Sequence, residues 1–298
     1  MTADMLNLTQ QVATSHWGWT IALFLWLVGL SGMSLTLNFW LRSKKVLLLS
    51  TVAGVAGTLL VVSHLTRLLN LPFAAINALM EGSLNFGSWM FIGICILAVL
   101  CIVTVIESLL VIAAQKKEPE NEYETFLESD IVAWLNAILG VAATAYSGFL
   151  LTQAAGVALW NTAALPVLWL LSGLACAFGL VEMLESGKQL DVHAPHGLTT
   201  AADVAHIAEA LVLFAFVQSA FSGTPGAAAG AEALVAGAQA TLFWGGAVFV
   251  GIVVPLVMNR IGKSLPNLGL ITGAASIVGA LALRAAILFA GYFDPVLL

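Results

Sequence analysis

Along this chain, apolar runs about as long as a bilayer is thick alternate with short polar stretches. About 20 consecutive apolar residues in a helix cross a bilayer core. On that measure the pattern predicts spans near 17–41, 46–69, 88–114, 131–155, 160–183, 200–221, 238–259 and 268–292. No Asp, Glu, Lys or Arg occurs from Ile131 to Val181, nor from Ala233 to Asn259. The first of these runs is too long for one crossing, so it is read as two spans with a break around Gln153 to Pro166. Ser222–Ala236 is rich in Gly and Ala with one Pro, and reads as a loop between the sixth and seventh spans. The expectation is an all-α integral membrane protein. It forms a single transmembrane domain over 1–298, with eight helices in two four-helix bundles.

Composition agrees. Charged residues make up 9% of the 298 and apolar ones 60%, with a mean hydropathy of +1.01; a soluble domain carries roughly 25% charged residues. The net charge of −6 is concentrated in Glu118–Asp130 and suggests no nucleic-acid partner. The opening segment lacks the basic start of a secretory signal and reads as a short mature tail.

Basic residues set the orientation, since Lys and Arg are retained in cytoplasmic loops. Loops after odd-numbered spans hold Arg42, Lys44, Lys45, Lys116, Lys117, Lys188, Arg260 and Lys263, whereas loops after even-numbered spans hold only Arg67. This places both termini on the periplasmic side of an inner membrane.

On that map, polar residues of five consecutive spans gather toward the outer face. His16 and Trp17 open the first span, and His64 and Arg67 close the second, three residues apart on one helix face. Ser83, Asn85 and Ser88 lead into the third, Tyr146 sits in the outward half of the fourth, and Trp160 with Asn161 begins the fifth. Each has a plainer reading. Trp17, Trp89 and Trp160 suit an interfacial aromatic belt, and Arg67 can snorkel to headgroups. His64 is different, because an ionisable residue inside a span is a functional candidate by default.

A deeper set comprises Glu107, Glu182, Glu185, Asp203, His206, Glu209 and Arg284. Asp203, His206 and Glu209 are spaced by three and share a face of the sixth span. Arg284 is the basic residue at comparable depth. A structural Glu209–Arg284 ion pair and a proton or ion path are the two readings of this set.

Metal chemistry finds little support. Cys95, Cys101 and Cys176 sit in apolar spans without a C-x-x-C pair, whereas zinc and iron–sulfur sites need clustered thiolates. They read as small packing residues. Of five histidines, His193 and His196 are in a cytoplasmic loop, His16 and His64 are outer and His206 is inner. Axial haem ligands need a depth-matched pair, so neither haem nor an Fe–S cluster is expected in this protein.

Four stretches carry a resemblance: "HWGWTIALFLWLVGLSGMSL", "SHLTRLLNLPFAAINALMEGSLNFGSW", "ALWNTAALPVLWLLSGLACAFGL" and "GALALRAAILFAG". In this order and spacing, over His16 to about Pro295, the chain resembles the polysulfide reductase membrane-subunit family (the NrfD/PsrC type). The dimethyl sulfoxide reductase anchor subunit is a more distant relative. The resemblance implies a quinone-reactive anchor, using menaquinone or ubiquinone. A ferredoxin-like Fe–S subunit would dock on it, expected at the outer face, and relay electrons to or from a molybdopterin catalytic subunit. It further implies that His64 stands where the family has a quinone-linked His or carboxylate, and Tyr146 where it has a quinone-contacting Tyr. One departure is visible. Ile21 and Phe24 stand where some members place polar quinone contacts, which shifts the expected headgroup toward His16 and Trp19.

The residues suit that chemistry in their own right. Quinol oxidation releases two electrons and two protons, so each oxygen needs a hydrogen-bond partner and one needs a base. A neutral His titrates near pH ~6.5, and a Tyr hydroxyl donates or accepts. The competing classes are a secondary transporter or ion channel, and a structural anchor without a quinone site. Transporters favour midplane sites between internal repeats, and neither is evident in this sequence. The absence of clustered ligands makes one prediction: the purified subunit holds no metal of its own. Metal analysis and a visible spectrum test it, and a stoichiometric haem band would refute it.

Overall fold

The computed structural model describes residues 14–15, 17–63, 77, 80–81, 87–114, 129–154, 156–261 and 267–294. Among the described residues eight helices are long and apolar enough to cross a membrane. They are α1 (Trp19–Leu41), α2 (Lys44–Ser63), α3 (Trp89–Ala114), α4 (Asp130–Thr152), α5 (Ala164–Ser186), α6 (Leu198–Phe221), α8 (Thr241–Ile261) and α9 (Leu268–Phe289). Among the described residues there is no strand, only isolated bridges joining Thr14 to Tyr292 and Val157 to Phe293. The protein is therefore an all-α, multi-pass membrane protein. In lipid an α-helix satisfies its own backbone, which is why spans take this form.

One expectation fails. The segment read as a loop contains a short helix, α7 (Pro225–Val235). Pro225 occupies its first turn, where a missing N–H costs nothing, and the Thr224 side chain accepts from the Ala227 N–H. Small residues at helical spacing, Ala227 and Ala231, are buried against the bundle together with Leu234. The Gly and Ala content that suggested a loop instead lets this helix pack closely.

An even number of spans brings both described ends to one side, the terminal face. The connections after α1, α3, α5 and α8 lie on the other, the basic face. Neighbours form two rings: α1 packs on α2 and α4, with α3 against both of these; α9 packs on α5 and α8, with α6 against both of these. The rings meet where α1 contacts α5 and α9, and where α4 contacts α5.

Small residues decide how closely these helices approach. Gly32 of α1 faces Gly140 of α4, and a Cβ at either would overlap backbone of the other. Thr36, one turn from Gly32, donates to the Ala137 carbonyl across the same crossing at 3.2 Å. Between α1 and α2, Ser31 and Ser50 each donate to the other's carbonyl, at 2.7 and 2.5 Å. Small residues and interhelical hydroxyl bonds hold helices together where lipid removes the hydrophobic driving force. The first thirteen residues of α8, Thr241–Val253, are wound as a π-helix, a form that is rare beyond single turns.

On the basic face, Asp191 from the α5–α6 connection accepts from the Lys44 N–H at 2.9 Å and from the Ser43 hydroxyl. It thus caps α2 with a negative charge at the positive end of the helix. Gly140→Val should force α1 and α4 apart. The expected destabilisation is about 1–3 kcal/mol by overpacking, seen as a lower melting temperature in detergent. An unchanged melting point would mean that the crossing is not close.

Candidate functional site

His16, His64, Arg67 and Asn85 lie outside the described residues. Tyr146, Trp19, Asp203, His206, Glu209 and Arg284 are described, and they fall into separate places.

Tyr146 is six residues before the end of α4, about 9 Å below it at 1.5 Å per residue. Its ring lies so close against α3 that a Cβ at Gly93 would overlap it, so Gly93 is what admits the tyrosine. One turn nearer the terminal face, Trp89 of α3 stacks on Phe149 of α4, with centroids 4.4 Å apart and planes 13° apart. The tyrosine is 4% exposed, and its hydroxyl has no hydrogen-bond partner among the described residues. An aromatic wall and an uncommitted hydroxyl therefore occur together, in the outward half of the first ring.

Trp19 does not join them. It is half exposed and meets Phe289 of α9 edge-on at 5.1 Å. Ile21 and Phe24, the apolar departures on α1, are buried core residues. Trp160 corrects the interfacial-belt reading. It is fully buried, donates to the Ile287 carbonyl at 3.0 Å and contacts Trp17 at 5.1 Å. It is a packing residue where the α4–α5 connection meets α9.

Apart from Glu107, which lies on α3 in the first ring, the deeper set falls in the second ring, with Asp203, His206 and Glu209 one turn apart on α6. Arg284 is wholly buried. It donates to the Ser172 hydroxyl (3.0 Å) and to the carbonyls of Leu25 (3.2 Å), Ala280 (3.0 Å) and Trp169 (3.4 Å), and its guanidinium lies 5.4 Å from the Trp169 ring centre. A Cβ at Gly29 of α1 would strike the guanidinium. The direct Glu209–Arg284 ion pair does not form. Ser172 stands between them, its hydroxyl accepting from Arg284 and facing the Glu209 carboxyl.

One turn toward the basic face, His206 has both ring nitrogens engaged, Nδ1 with the Ala202 carbonyl (2.8 Å) and Nε2 with Ser276 Oγ (3.0 Å). A carbonyl only accepts, so Nδ1 carries a proton. Ser276 has a single hydrogen and two acceptors, Nε2 and the Thr272 carbonyl at 3.1 Å. With a neutral ring that hydrogen goes to Nε2. With a protonated ring Nε2 becomes the donor, and Ser276 turns to Thr272. Either charge state of His206 is therefore hydrogen-bonded.

Asp203, a further turn on, accepts from Asn259 Nδ2 at 2.9 Å and lies 3.5 Å from Arg260 Nε. Glu182 accepts from the Thr272 hydroxyl at 3.1 Å, while its Oε1 is buried without a partner among the described residues. Both carboxylates line a cavity of about 750 Å³ together with Glu185, Asn259, Arg260 and Thr272, open at the basic face. Cavity, Asp203, His206, Glu209, Ser172 and Arg284 thus form a ladder. Its top, Arg284, is 16 residues from the start of α9, about 24 Å along the helix.

The ladder's hydroxyls, Ser172, Thr272 and Ser276, gave no sequence signal, because isolated Ser and Thr are ordinary inside membrane helices. Gly93 was equally silent. Among the described residues no group of three or more His, Cys, Asp or Glu side chains could hold a metal.

The fold and site define a multi-pass membrane protein with ionisable side chains buried in its interior. The family model described as "Polysulphide reductase, NrfD" matches residues 7–295. The sequence is 30% identical to the C subunit of polysulfide reductase from Wolinella succinogenes, over 97% of this chain and 98% of that protein. It is 27% identical to protein NrfD of Escherichia coli and 27% identical to its homolog in Haemophilus influenzae, each over 92% of this chain and 94% of the relative. The chain belongs to the polysulphide reductase NrfD family.

The serine bridge is testable. Ser172→Ala removes an acceptor from the buried Arg284 and the hydroxyl that faces Glu209, leaving the guanidinium short of a partner at about 1–3 kcal/mol. The melting temperature should fall, and Ser172→Thr, which restores the hydroxyl, should recover most of it. Equal melting points for all three proteins would dismiss the bridge.

Proposed function

We propose that this protein is the quinone-reactive membrane subunit of a respiratory oxidoreductase. It would exchange electrons between the membrane quinone pool and an Fe–S partner of ferredoxin type, itself serving a molybdopterin catalytic subunit. The observation that carries the reading is Tyr146, a buried ring seated on Gly93 below the Trp89–Phe149 stack, with a hydroxyl left uncommitted. It sits at a depth that a headgroup entering from lipid reaches.

Quinol supplies two electrons and two protons on oxidation, and the reverse reaction consumes them. Tyr146 holds one oxygen by a hydrogen bond worth about 1 kcal/mol. His64 takes the proton from the other, as a neutral imidazole can near neutral pH. By sequence Arg67, His16 and Asn85 belong to the same side, and they are proposed to complete the binding set; Trp19, which meets Phe289 of α9, stands apart from it. Family membership supports the assignment, and the basic loop residues support an inner-membrane location with both termini periplasmic. The ladder of Asp203, His206 and Glu209, with Arg284 as the fixed charge at its top, is proposed to move protons between the large cavity and the interior. Asp203, His206 and Glu209 stand about one turn apart on one face of α6, which suits short transfers.

Two variants, each assayed with quinol and with an artificial donor that feeds the catalytic subunit directly, test this reading. His64→Ala should cut quinol turnover by roughly 10²–10⁴-fold, the usual cost of losing a general base. Tyr146→Phe should raise the quinol KM about tenfold or less. Donor activity should survive in both. Normal quinol turnover in His64→Ala, at normal complex yield, would put the quinone site elsewhere.

A further inference from the structure

The large cavity on the basic face continues sideways into the lipid-facing surface. Gly197 and Thr200 border both this cavity and an apolar groove between α5 and α6. The groove is lined by Leu171, Leu174, Phe178, Val204, Ala205 and Ala208. Phe178 and Ala205 are its buried floor, while Val204 is 60% exposed. A polar chamber thus opens into an apolar channel at the membrane boundary.

The groups around the chamber divide by charge. From α5 come two carboxyls, Glu182 and Glu185, three residues apart on one helix face. Neither has a cationic partner among the described residues. Glu182 is 8% exposed; one oxygen accepts from Thr272, and the other, Oε1, is buried without a donor. From α6 and α8 come donors. Gly197, the N-cap of α6, has φ 90° and no side chain with which to cap. The N–H groups and hydroxyls of Thr199 and Thr200 are uncommitted among the described residues. The third carboxyl, Asp203, already faces Asn259 and Arg260. Arg260 is 75% exposed, and beyond its Nε its guanidinium has no partner among the described residues.

We propose that chamber and groove together bind one phosphatidylethanolamine of the basic-face leaflet. Its ammonium supplies N–H donors to Glu182 and Glu185. Its phosphate takes the Thr199 and Thr200 donors at the start of α6 and the Arg260 guanidinium, as phosphates do at helix N-termini. An acyl chain fills the groove. The lining selects the headgroup by charge and by hydrogen bonding. Three carboxyls surround one guanidinium, so an anionic lipid without an amine would add to the excess. Phosphatidylcholine carries a quaternary ammonium, which has no N–H to give the buried oxygen of Glu182. The site uses none of the proposed quinone contacts and stands independently of that reading.

The full-length protein in detergent is melted with phosphatidylethanolamine, phosphatidylcholine or phosphatidylglycerol of identical chains, and with chain-free glycerophosphoethanolamine. A ligand that binds only the folded state raises stability by mass action. Phosphatidylethanolamine should raise the melting temperature by about 2–4 °C over the other three. Glu182→Gln and Glu185→Gln should each shrink that difference, and Ala201→Trp, which fills the groove from an exposed position, should shrink it too. Should Glu182→Gln fail to fold, the exposed Glu185 and Ala201 positions still decide. An equal shift with phosphatidylcholine or phosphatidylglycerol overturns the amine site. An equal shift with glycerophosphoethanolamine overturns the groove. A phosphatidylethanolamine effect that survives unchanged in Glu185→Gln and Ala201→Trp places the lipid elsewhere and overturns both.

Discussion

Arg284 is the residue around which the helices are arranged. A guanidinium cannot shed its charge in a protein, so a fully buried one must find acceptors for its fork of donors. It finds them on three helices at once: the Leu25 carbonyl of α1, Trp169 and Ser172 of α5, and the Ala280 carbonyl of its own α9. These are the helices where the two rings meet. The arginine thereby ties the rings together at about 7.5 Å below the end of α9. Gly29 is the corresponding concession on α1, since any side chain there would occupy the space of the guanidinium.

Because Ser172 rather than Glu209 is the direct partner, the buried carboxyl is coupled to the arginine without being neutralised by it in a closed pair. A closed buried pair is hard to protonate or separate, as removing either charge leaves the other uncompensated. The Ser172 hydroxyl accepts from Arg284 and faces Glu209, so a change of charge on Glu209 leaves the carbonyl bonds of Arg284 in place. The same device recurs below, where Ser276 adjusts to either state of His206. Hydroxyls thus stand beside both His206 and Glu209, and neither side chain is locked in a closed salt bridge.

The spans were legible because the membrane imposes a length that no other environment demands. The shared face of Asp203, His206 and Glu209 was legible because a spacing of three is a property of one helix. What joins different helices was not. Ser172 meets Glu209, and Asn136 meets Glu107, only through interhelical register, which periodicity within a span does not encode. Trp160 illustrates the same limit. Its position at a span boundary suggested a headgroup contact, but the backbone folds back over α9 there and buries the indole with its N–H satisfied. The short helix α7 was hidden because Gly and Ala weaken the amphipathic signal of a helix, yet permit close packing once a bundle is present.

The departure at Ile21 and Phe24 now has a physical context. α1 touches α2, α4, α5 and α9, more partners than a peripheral span, and both residues are buried within those contacts. Its small residues serve different neighbours: Gly29 admits Arg284, Ser31 locks to Ser50, and Gly32 receives Gly140. A helix so committed on several sides has little surface left from which to offer polar groups to a ligand. Chemistry near the terminal face must then come from helices that α1 positions. Tyr146 fits that division, because α4 is held to α1 by the Gly32–Gly140 crossing, and the tyrosine projects onto α3. A change at the crossing should therefore reach Tyr146 through the placement of α4, although Gly140 itself contacts no part of the aromatic wall.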